Sequence, residues 1–144
     1  MTLRPQALES RLAVAAQIST ADVTAIAAAG YRALICNRPD GESDDQCDAA
    51  TIAAAAQAQG LPFRYLPVLG SAIDSAAIAA FRQALNELPT PILAYCRSGN
   101  RSTLLWALAE AGRRPLAEIE SRAAAAGISL TDLQPRLQRL AEGL

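Results

Sequence analysis

The sequence has 144 residues, of which 51% are apolar, and a formal net charge of −1 at neutral pH. This balance supplies no basic field for nucleic acid or an anionic membrane surface, so neither partner is expected. The apolar runs are too short to cross a bilayer, and Arg4, Glu9 and Arg11 interrupt any secretory signal. We therefore expect one domain over residues 1–144, located in the cytoplasm.

The chain contains no histidine and three cysteines, Cys36, Cys47 and Cys96. Three cysteines cannot all pair, and no two of them stand at Cys-x-x-Cys spacing. Without imidazole, Cys–His and Ser–His catalytic pairs are excluded and a zinc site is not expected. We expect no metal and no cofactor, and a cysteine nucleophile would need activation by groups other than histidine.

Apolar runs alternate along the chain with alanine-rich segments of helical periodicity. The first predicted strand covers 12–17, and the first predicted helix is capped by Ser19 or Thr20 and ends at Gly30. The later elements are strand 31–36, helix 48–59, strand 62–68, helix 75–88, strand 91–96 and helices 100–111, 115–126 and 130–140. This alternation predicts an α/β fold, with a mainly parallel central sheet of four to five strands and helices on both faces.

Ligand sites in such sheets lie outside the carboxyl ends of the strands. Cys96 ends the predicted strand 91–96, and Cys36 ends the strand 31–36. The segment Asn-Arg-Pro-Asp-Gly-Glu, residues 37–42, follows Cys36, and Pro39-Asp40-Gly41 alone is sufficient to form a turn. We expect these two strands to be neighbours in the sheet, so the candidate site lies where they end.

The sequence Cys-Arg-Ser-Gly-Asn-Arg-Ser, residues 96–102 (the Cys loop), carries the strongest functional signal. An ordinary thiol is only about 3% ionised at pH 7, whereas a helix N-terminus favours negative charge on a sulfur that faces it. Arg101 adds a fork of donors for an oxyanion, Gly99 lets successive amides turn inward, and Ser102 is suited to donate to the sulfur. A buried core cysteine would explain Cys96 alone, but it would not explain this set of neighbours.

The catalytic residues predicted from this pattern are Cys96, Arg101 and Ser102. The predicted substrate contacts within the loop are Arg97, Ser98, Gly99 and Asn100. Arg97 would strengthen the positive field unless its side chain points to solvent. Cys36 is interpreted as a core cysteine, with a resolving thiol for oxidised Cys96 as the alternative.

Two resemblances follow from these motifs. "YCRSGNRS" is similar to the active-site loop of rhodanese-type sulfurtransferases. "QISTADVTAIAAAGYRALICNRPDGES", the "LPV" strand and "AYCRSGNRSTLLWALA" together resemble the beta-lactamase-hydrolase-like phosphatase-like domain family, from about Leu12 to the C-terminus. That resemblance implies a dual-specificity-phosphatase-like fold, with the rhodanese fold as the alternative. Members of the family are often labelled sulfurtransferases.

The resemblance also implies roles for the segment 37–42. Arg38 would be a second anion contact facing the Cys loop. Asp40 would be either a turn residue or a substitute acid, which leaves both interpretations open.

Two departures from tyrosine phosphatases favour sulfur chemistry. Those enzymes place five residues between cysteine and arginine, whereas four separate Cys96 from Arg101, so the loop has one amide fewer for a tetrahedral phosphate. They also usually place a general-acid aspartate just after the strand that matches "LPV". Here residues 69–73 hold no acid, and Asp74 would serve only if the loop folds back. A phosphate ester whose leaving oxygen stays unprotonated loses a factor of about 10²–10⁴ in rate.

The predicted function is therefore a sulfurtransferase that moves sulfane sulfur from thiosulfate or a small persulfide, through a Cys96 persulfide, to a thiol or cyanide. Its expected partners are a small anionic sulfur donor and a thiol acceptor. The first alternative is a tyrosine or dual-specificity-type phosphatase that acts through a Cys96 phosphocysteine. A non-catalytic module that binds an anion or a partner is the second alternative, and arsenate reduction by the three cysteines is a more distant one.

Overall fold

The computed structural model describes residues 3–69 and 73–143. The strands are β1 (Gln6–Glu9), β2 (Leu12–Ala15), β3 (Ala33–Cys36), β4 (Phe63–Tyr65) and β5 (Ile92–Tyr95). The helices are α1 (Thr20–Ala28), α2 (Ala49–Ala58), α3 (Ser75–Glu87), α4 (Asn100–Glu110), α5 (Leu116–Ala125) and α6 (Gln134–Ala141), with a 3-10 turn at Thr131–Leu133. Every predicted helix and strand is present, and β1 is an additional strand.

The five strands form one sheet in the order β1-β2-β5-β3-β4. β5 lies at the centre, parallel to β2 on one side and to β3 on the other. β1 pairs with β2 in the antiparallel direction, and its register shifts between Ala7 and Glu9. The predicted α/β class, with a mainly parallel sheet of four to five strands, is confirmed.

Side chains alternate between the two faces of the sheet, and helices cover both faces. On one face, Leu34, Leu93 and Tyr95 pack against α1 and α2. On the other face, Ile35, Ile92 and Ala94 pack against α3 and α4, and α5 and α6 extend that layer. The central strands are buried on both sides, which explains their uninterrupted apolar sequences.

The register of the parallel strands positions the site. Cys36 at the end of β3 lies opposite Tyr95 at the end of β5, so the segments that follow both strands leave the sheet side by side. Asn37 N–H donates to the Tyr95 carbonyl at 2.8 Å and extends this pairing by one residue. The prediction that the Cys36 and Cys96 strands are neighbours is therefore confirmed.

No helix within residues 3–69 and 73–143 combines the length and the apolar character that spanning a bilayer requires.

Candidate active site

Cys96 lies between the end of β5 and the start of α4, and it is fully buried. Its Sγ accepts a hydrogen bond from the Gly99 N–H at 3.0 Å. Gly99 is the N-cap of α4 and has a φ of 92°, so a residue with a side chain would be strained there. The sulfur thus faces the positive end of an 11-residue helix and receives one amide directly, a position in which negative charge is stabilised.

The Cys loop packs closely against the end of β2. A Cβ on Gly99 would meet the carbonyl group of Ala15 at 3.6 Å, and the Cys96 N–H donates to the Ala15 carbonyl at 3.3 Å. The Gln17 N–H in turn donates to the Arg97 carbonyl at 3.3 Å. Backbone contacts to a neighbouring strand therefore hold the loop in place.

Arg101, in the first turn of α4, is held by a carboxylate on the 37–48 segment. Its Nη1 and Nη2 donate to the two oxygens of Glu42 at 2.8 and 2.7 Å, and Nη1 also donates to the Val68 carbonyl at 3.0 Å. The pKa of Arg101 is raised, chiefly by the bonds to Glu42 and to a smaller extent by the nearby Cys96 sulfur. Glu42 thus fixes the guanidinium beside the nucleophile.

Arg38 lies behind Glu42 and is 4% exposed. Its Nε donates to Glu42 Oε1 at 3.0 Å, its Nη1 to Gln17 Oε1 at 3.0 Å and its Nη2 to Ser43 Oγ at 3.3 Å. The resemblance implied direct contact with a substrate anion, whereas here protein groups occupy donors on all three nitrogens. In this structure Arg38 therefore anchors Glu42, and a substrate contact by Arg38 stays a prediction.

Glu42 is the site residue to which sequence reasoning gave no role. Hydrogen bonds from Arg101, and then from Arg38, lower the pKa of Glu42 to about 2. The signal available in the sequence was its place in the segment 37–42, four residues after Arg38. Its pairing with Arg101, 59 residues away, depends on the neighbouring positions of β3 and β5.

Ser102 does not make the expected contact with sulfur. It is fully buried, and its hydroxyl donates to Asn37 Oδ1 at 2.8 Å. Asn37 Nδ2 donates to the Leu66 carbonyl at 2.9 Å, which leaves Oδ1 as the acceptor. The single hydroxyl proton of Ser102 is therefore committed to Asn37, and this bond ties α4 to the segment after β3.

The remaining predicted loop residues lie at its rim. Arg97, Ser98 and Asn100 are exposed, and the Asn100 N–H donates to Ser98 Oγ at 3.3 Å. Arg97 lines a groove of about 450 Å³ beside the loop, which also includes Asp22, Arg38, Asp45, Gln46 and Cys47. Arg97 is the residue of the Cys loop that the groove shares.

Cys36 belongs to the core on the α1/α2 side, where it packs with Tyr95. Its Sγ donates to the Arg38 carbonyl at 3.3 Å, and burial raises the pKa of this thiol. These observations match the interpretation of Cys36 as a core cysteine.

Asp40 and Asp74 each have a structural partner. Asp40 Oδ1 accepts from the Ala49 N–H at 2.8 Å, and Asp74 caps α3 by accepting from the Ala77 N–H at 2.8 Å. The position that phosphatases fill with an acid falls partly on Gly70, Ser71 and Ala72, which lie outside the described residues.

Other parts of the described chain offer less chemistry. No group of three Cys, Asp or Glu side chains in residues 3–69 and 73–143 is arranged to hold a metal ion. A larger groove of about 780 Å³ lies between α5 and the 3-10 turn, but its described lining holds neither cysteine nor arginine. The Cys loop is therefore the candidate active site.

The sheet, the helices on both faces and a cysteine loop at the carboxyl end of the central strand define a phosphatase-like α/β protein. A family model described as "Beta-lactamase hydrolase-like protein, phosphatase-like domain" matches residues 5–113, and the chain belongs to this family. The family assignment made from the sequence is thereby confirmed.

A beta-lactamase hydrolase-like protein of Xylella fastidiosa is 36% identical over 136 residues, which are 93% of this chain and 32% of that protein. The chain thus spans about a third of the length of the curated relatives that it matches.

Two solved structures show the fold. A candidate phosphatase of Neisseria meningitidis is 37% identical, with a TM-score of 0.83, over 92% of this chain and 94% of that one. A kinase associated phosphatase whose catalytic-site cysteine is replaced by serine is 14% identical, with a TM-score of 0.76, over 99% and 95% of the two chains. The dual-specificity-phosphatase-like fold is therefore confirmed, and the comparisons favour the phosphatase alternative over the sulfurtransferase hypothesis.

Proposed function

We propose that this protein is a cysteine-dependent phosphatase that removes phosphoryl groups through a Cys96 phosphocysteine. The observation that carries the proposal is the Cys96 sulfur at the N-terminus of α4, bonded to the Gly99 amide at 3.0 Å with Arg101 alongside. Family membership and the phosphatase-like fold support it.

The first step forms a covalent intermediate. The Cys96 thiolate attacks phosphorus, the S–P bond forms, and the P–O bond to the leaving group breaks as that oxygen takes the electron pair. The loop amides and Arg101 stabilise the negative charge on the phosphoryl oxygens, and because the fold already holds them in place, little reorganisation is needed.

Water completes the cycle. It attacks phosphorus on the opposite side from sulfur, the S–P bond breaks, and the thiolate is regenerated while the water proton passes to solvent. Arg101 serves both steps, and Glu42 and Arg38 position it. Ser102 acts through Asn37, which fixes the start of α4, and Arg97, Ser98 and Asn100 form the rim that contacts the rest of the substrate.

Sulfur transfer is the second candidate, and the Cys-x4-Arg spacing favours it. A loop that is one residue shorter than in tyrosine phosphatases offers fewer amides to three phosphoryl oxygens. Thiosulfate expels sulfite and a persulfide expels a thiolate, and neither departure needs a protonating group.

The experiment that tests the proposal compares both reactions in one preparation. The chain is incubated with 4-nitrophenyl phosphate and separately with thiosulfate plus cyanide, with the Cys96→Ser variant as control. We expect phosphate release that is lost in Cys96→Ser, with thiocyanate at background. Cys96-dependent thiocyanate without phosphate release would replace the proposal by the sulfurtransferase. If the protein binds an anion but releases neither phosphate nor thiocyanate, it would be a non-catalytic binding module.

A further inference from the structure

In the proposed phosphatase reaction, the leaving group departs from phosphorus without receiving a proton from the side chains of residues 1–144. The leaving oxygen lies opposite the attacking sulfur, towards the mouth of the Cys loop. A general acid would have to reach that point, and in a chain with no histidine a carboxyl group is the ordinary choice.

Glu42 is the carboxylate closest to the nucleophile in the hydrogen-bond network, and it is unsuited to donate a proton. Both of its oxygens accept from Arg101, and Oε1 also accepts from Arg38. With a pKa of about 2, the group is ionised throughout the range in which a phosphatase works. Glu42 therefore positions Arg101 and does not act as a general acid.

Four aspartates, each with a hydrogen bond in local structure, are the next carboxylates to consider. Asp40 accepts from the Ala49 N–H and Asp74 from the Ala77 N–H. In the groove beside the loop, Asp22 accepts from the Ser19 N–H at 2.8 Å and Asp45 from the Ser43 hydroxyl at 2.9 Å. Apart from Glu42, no carboxylate within residues 3–69 and 73–143 hydrogen-bonds to the Cys loop.

Six residues between 1 and 144 lie outside the described part, and none of them has a carboxyl side chain: Met1, Thr2, Gly70, Ser71, Ala72 and Leu144. The rate of the first step therefore depends directly on how well the leaving oxygen bears a negative charge. Alkyl phosphates are then poor substrates, while anhydrides of phosphate are good ones.

The position of Arg97 indicates which leaving group the site prefers. It directly follows Cys96, its side chain is exposed in the groove beside the loop, and it forms no ion pair among the described residues. The same groove contains two aspartates, and the donors of its other arginine, Arg38, go to Glu42, Gln17 and Ser43, so any attraction for an anion is local to Arg97 at the rim. A leaving group that is itself a phosphate would contact this guanidinium.

Resting on the proposed function, we infer that the natural substrates are phosphoanhydrides, in which the Cys96 thiolate displaces a phosphate leaving group held by Arg97. The S–P bond forms while the P–O–P bridge breaks on the side of the leaving phosphate. That phosphate departs as an anion without proton transfer from the protein. Hydrolysis of the phosphocysteine then follows as for any other substrate.

The test compares three probes by kcat/KM: phenyl phosphate, 4-nitrophenyl phosphate and tripolyphosphate. Without a proton donor, 4-nitrophenyl phosphate should exceed phenyl phosphate by about 10² or more. Asp40→Asn and Asp74→Asn should leave this ratio unchanged, and both retain the capping ability of the side chain. Arg97→Gln should lower the value for tripolyphosphate about tenfold more than that for 4-nitrophenyl phosphate, whereas the exposed control Arg139→Gln should affect neither.

The possible failures are distinguishable. If no probe releases phosphate in a Cys96-dependent manner, the proposed function itself is wrong. If phenyl and 4-nitrophenyl phosphate react at similar rates, or if one aspartate variant loses phenyl phosphate activity selectively, the protein has a general acid and the inference alone is overturned. If tripolyphosphate is inert while the aryl esters react, or if Arg97→Gln affects all probes equally, the anhydride assignment is overturned.

Discussion

Two arginine–carboxylate networks lie at different ends of the molecule and serve different purposes. At the Cys loop, Glu42 bridges Arg101 and Arg38, and its side chain is 24% exposed. At the other end, Glu9 of β1 binds Arg11 and Arg114 and accepts from Trp106 Nε1 at 2.8 Å, with its side chain only 2% exposed. Both carboxylates have a pKa of about 2.

The difference lies in what each network holds. The Glu9 network joins the edge strand β1 to α4 and to the segment before α5, and it contains no nucleophile. The Glu42 network holds a cation beside a thiol. Removing the charge of Glu9 empties a position that water does not reach, whereas water can reach the position of the 24% exposed Glu42. The Glu9 network should therefore control stability, and the Glu42 network should control activity.

The largest effect is expected from Arg101→Lys. Lysine keeps the charge but loses the planar fork that Glu42 orients and that a phosphoryl group would accept. We expect kcat/KM for 4-nitrophenyl phosphate to fall about 10²–10³-fold while the unfolding midpoint changes little. Steady-state kinetics with a urea melt measures both. Wild-type activity in the lysine variant would remove Arg101 from the mechanism.

The opposite pattern, a loss of stability without a loss of activity, is expected from Glu9→Gln. This change removes the buried negative charge that Arg11 and Arg114 share and leaves Glu110 as their remaining buried partner, so the free energy of unfolding should drop by about 3 kcal/mol. Activity per folded molecule should stay at the wild-type level because Glu9 makes no contact with the Cys loop. A denaturant titration combined with an activity assay below the transition checks this. A loss of kcat in fully folded protein would contradict the division between the two networks.

The contribution of Glu9 to stability should decrease as the pH falls. Burial alone would raise the pKa of Glu9, but bonds from Arg11 and Trp106 and the charge of Arg114 outweigh it and hold the value at about 2 against an ordinary 4.5. A lowered pKa contributes stability that is present above about pH 4.5 and is lost as the pH falls towards 2.

The advantage of wild type over Glu9→Gln should therefore shrink by about 2 kcal/mol between pH 6 and pH 3. Unfolding curves of the two proteins across this range measure the difference. A constant gap between them would show that Glu9 is not the titrating group.

The smallest effect is expected from Glu42→Gln. An amide can still accept from one guanidinium nitrogen but loses the charge, so Arg101 becomes less well held, and kcat/KM should fall about tenfold. Stability should change by less than about 1 kcal/mol because the side chain is partly exposed. Glu118→Gln, a surface carboxylate that pairs with Arg114 and Arg122, is the matched control and should change neither quantity appreciably. An equal activity loss in the control would point to a general charge effect.

The fold and much of the site were predictable from local sequence. Periodicity located the helices and four strands, and the parallel arrangement predicted that Cys36 and Cys96 end neighbouring strands. β1 was missed because Gln-Ala-Leu-Glu is a short edge strand without alternation, and pairing with β2 creates it.

The partners of the site residues were harder to predict than their identity. Cys96, Gly99 and Arg101 could be recognised as site residues because they lie within six consecutive positions. The bond from Ser102 to Asn37 joins positions 65 apart in sequence, and that from Arg101 to Glu42 joins positions 59 apart. Such pairs depend on strand order and on rotamers, which no local pattern encodes. The same applies to Trp106, whose indole N–H donates to Glu9, 97 residues away in sequence.

In the proposed mechanism Cys96 carries phosphate during turnover, and this phosphocysteine can be trapped. The chain is mixed with 4-nitrophenyl phosphate, quenched in acid within the first turnover, and its intact mass is measured beside that of Cys96→Ser. We expect a phosphoryl adduct that maps to Cys96 and is absent from the serine variant. An unmodified Cys96 under these conditions, together with a persulfide at Cys96 after exposure to thiosulfate, would contradict it.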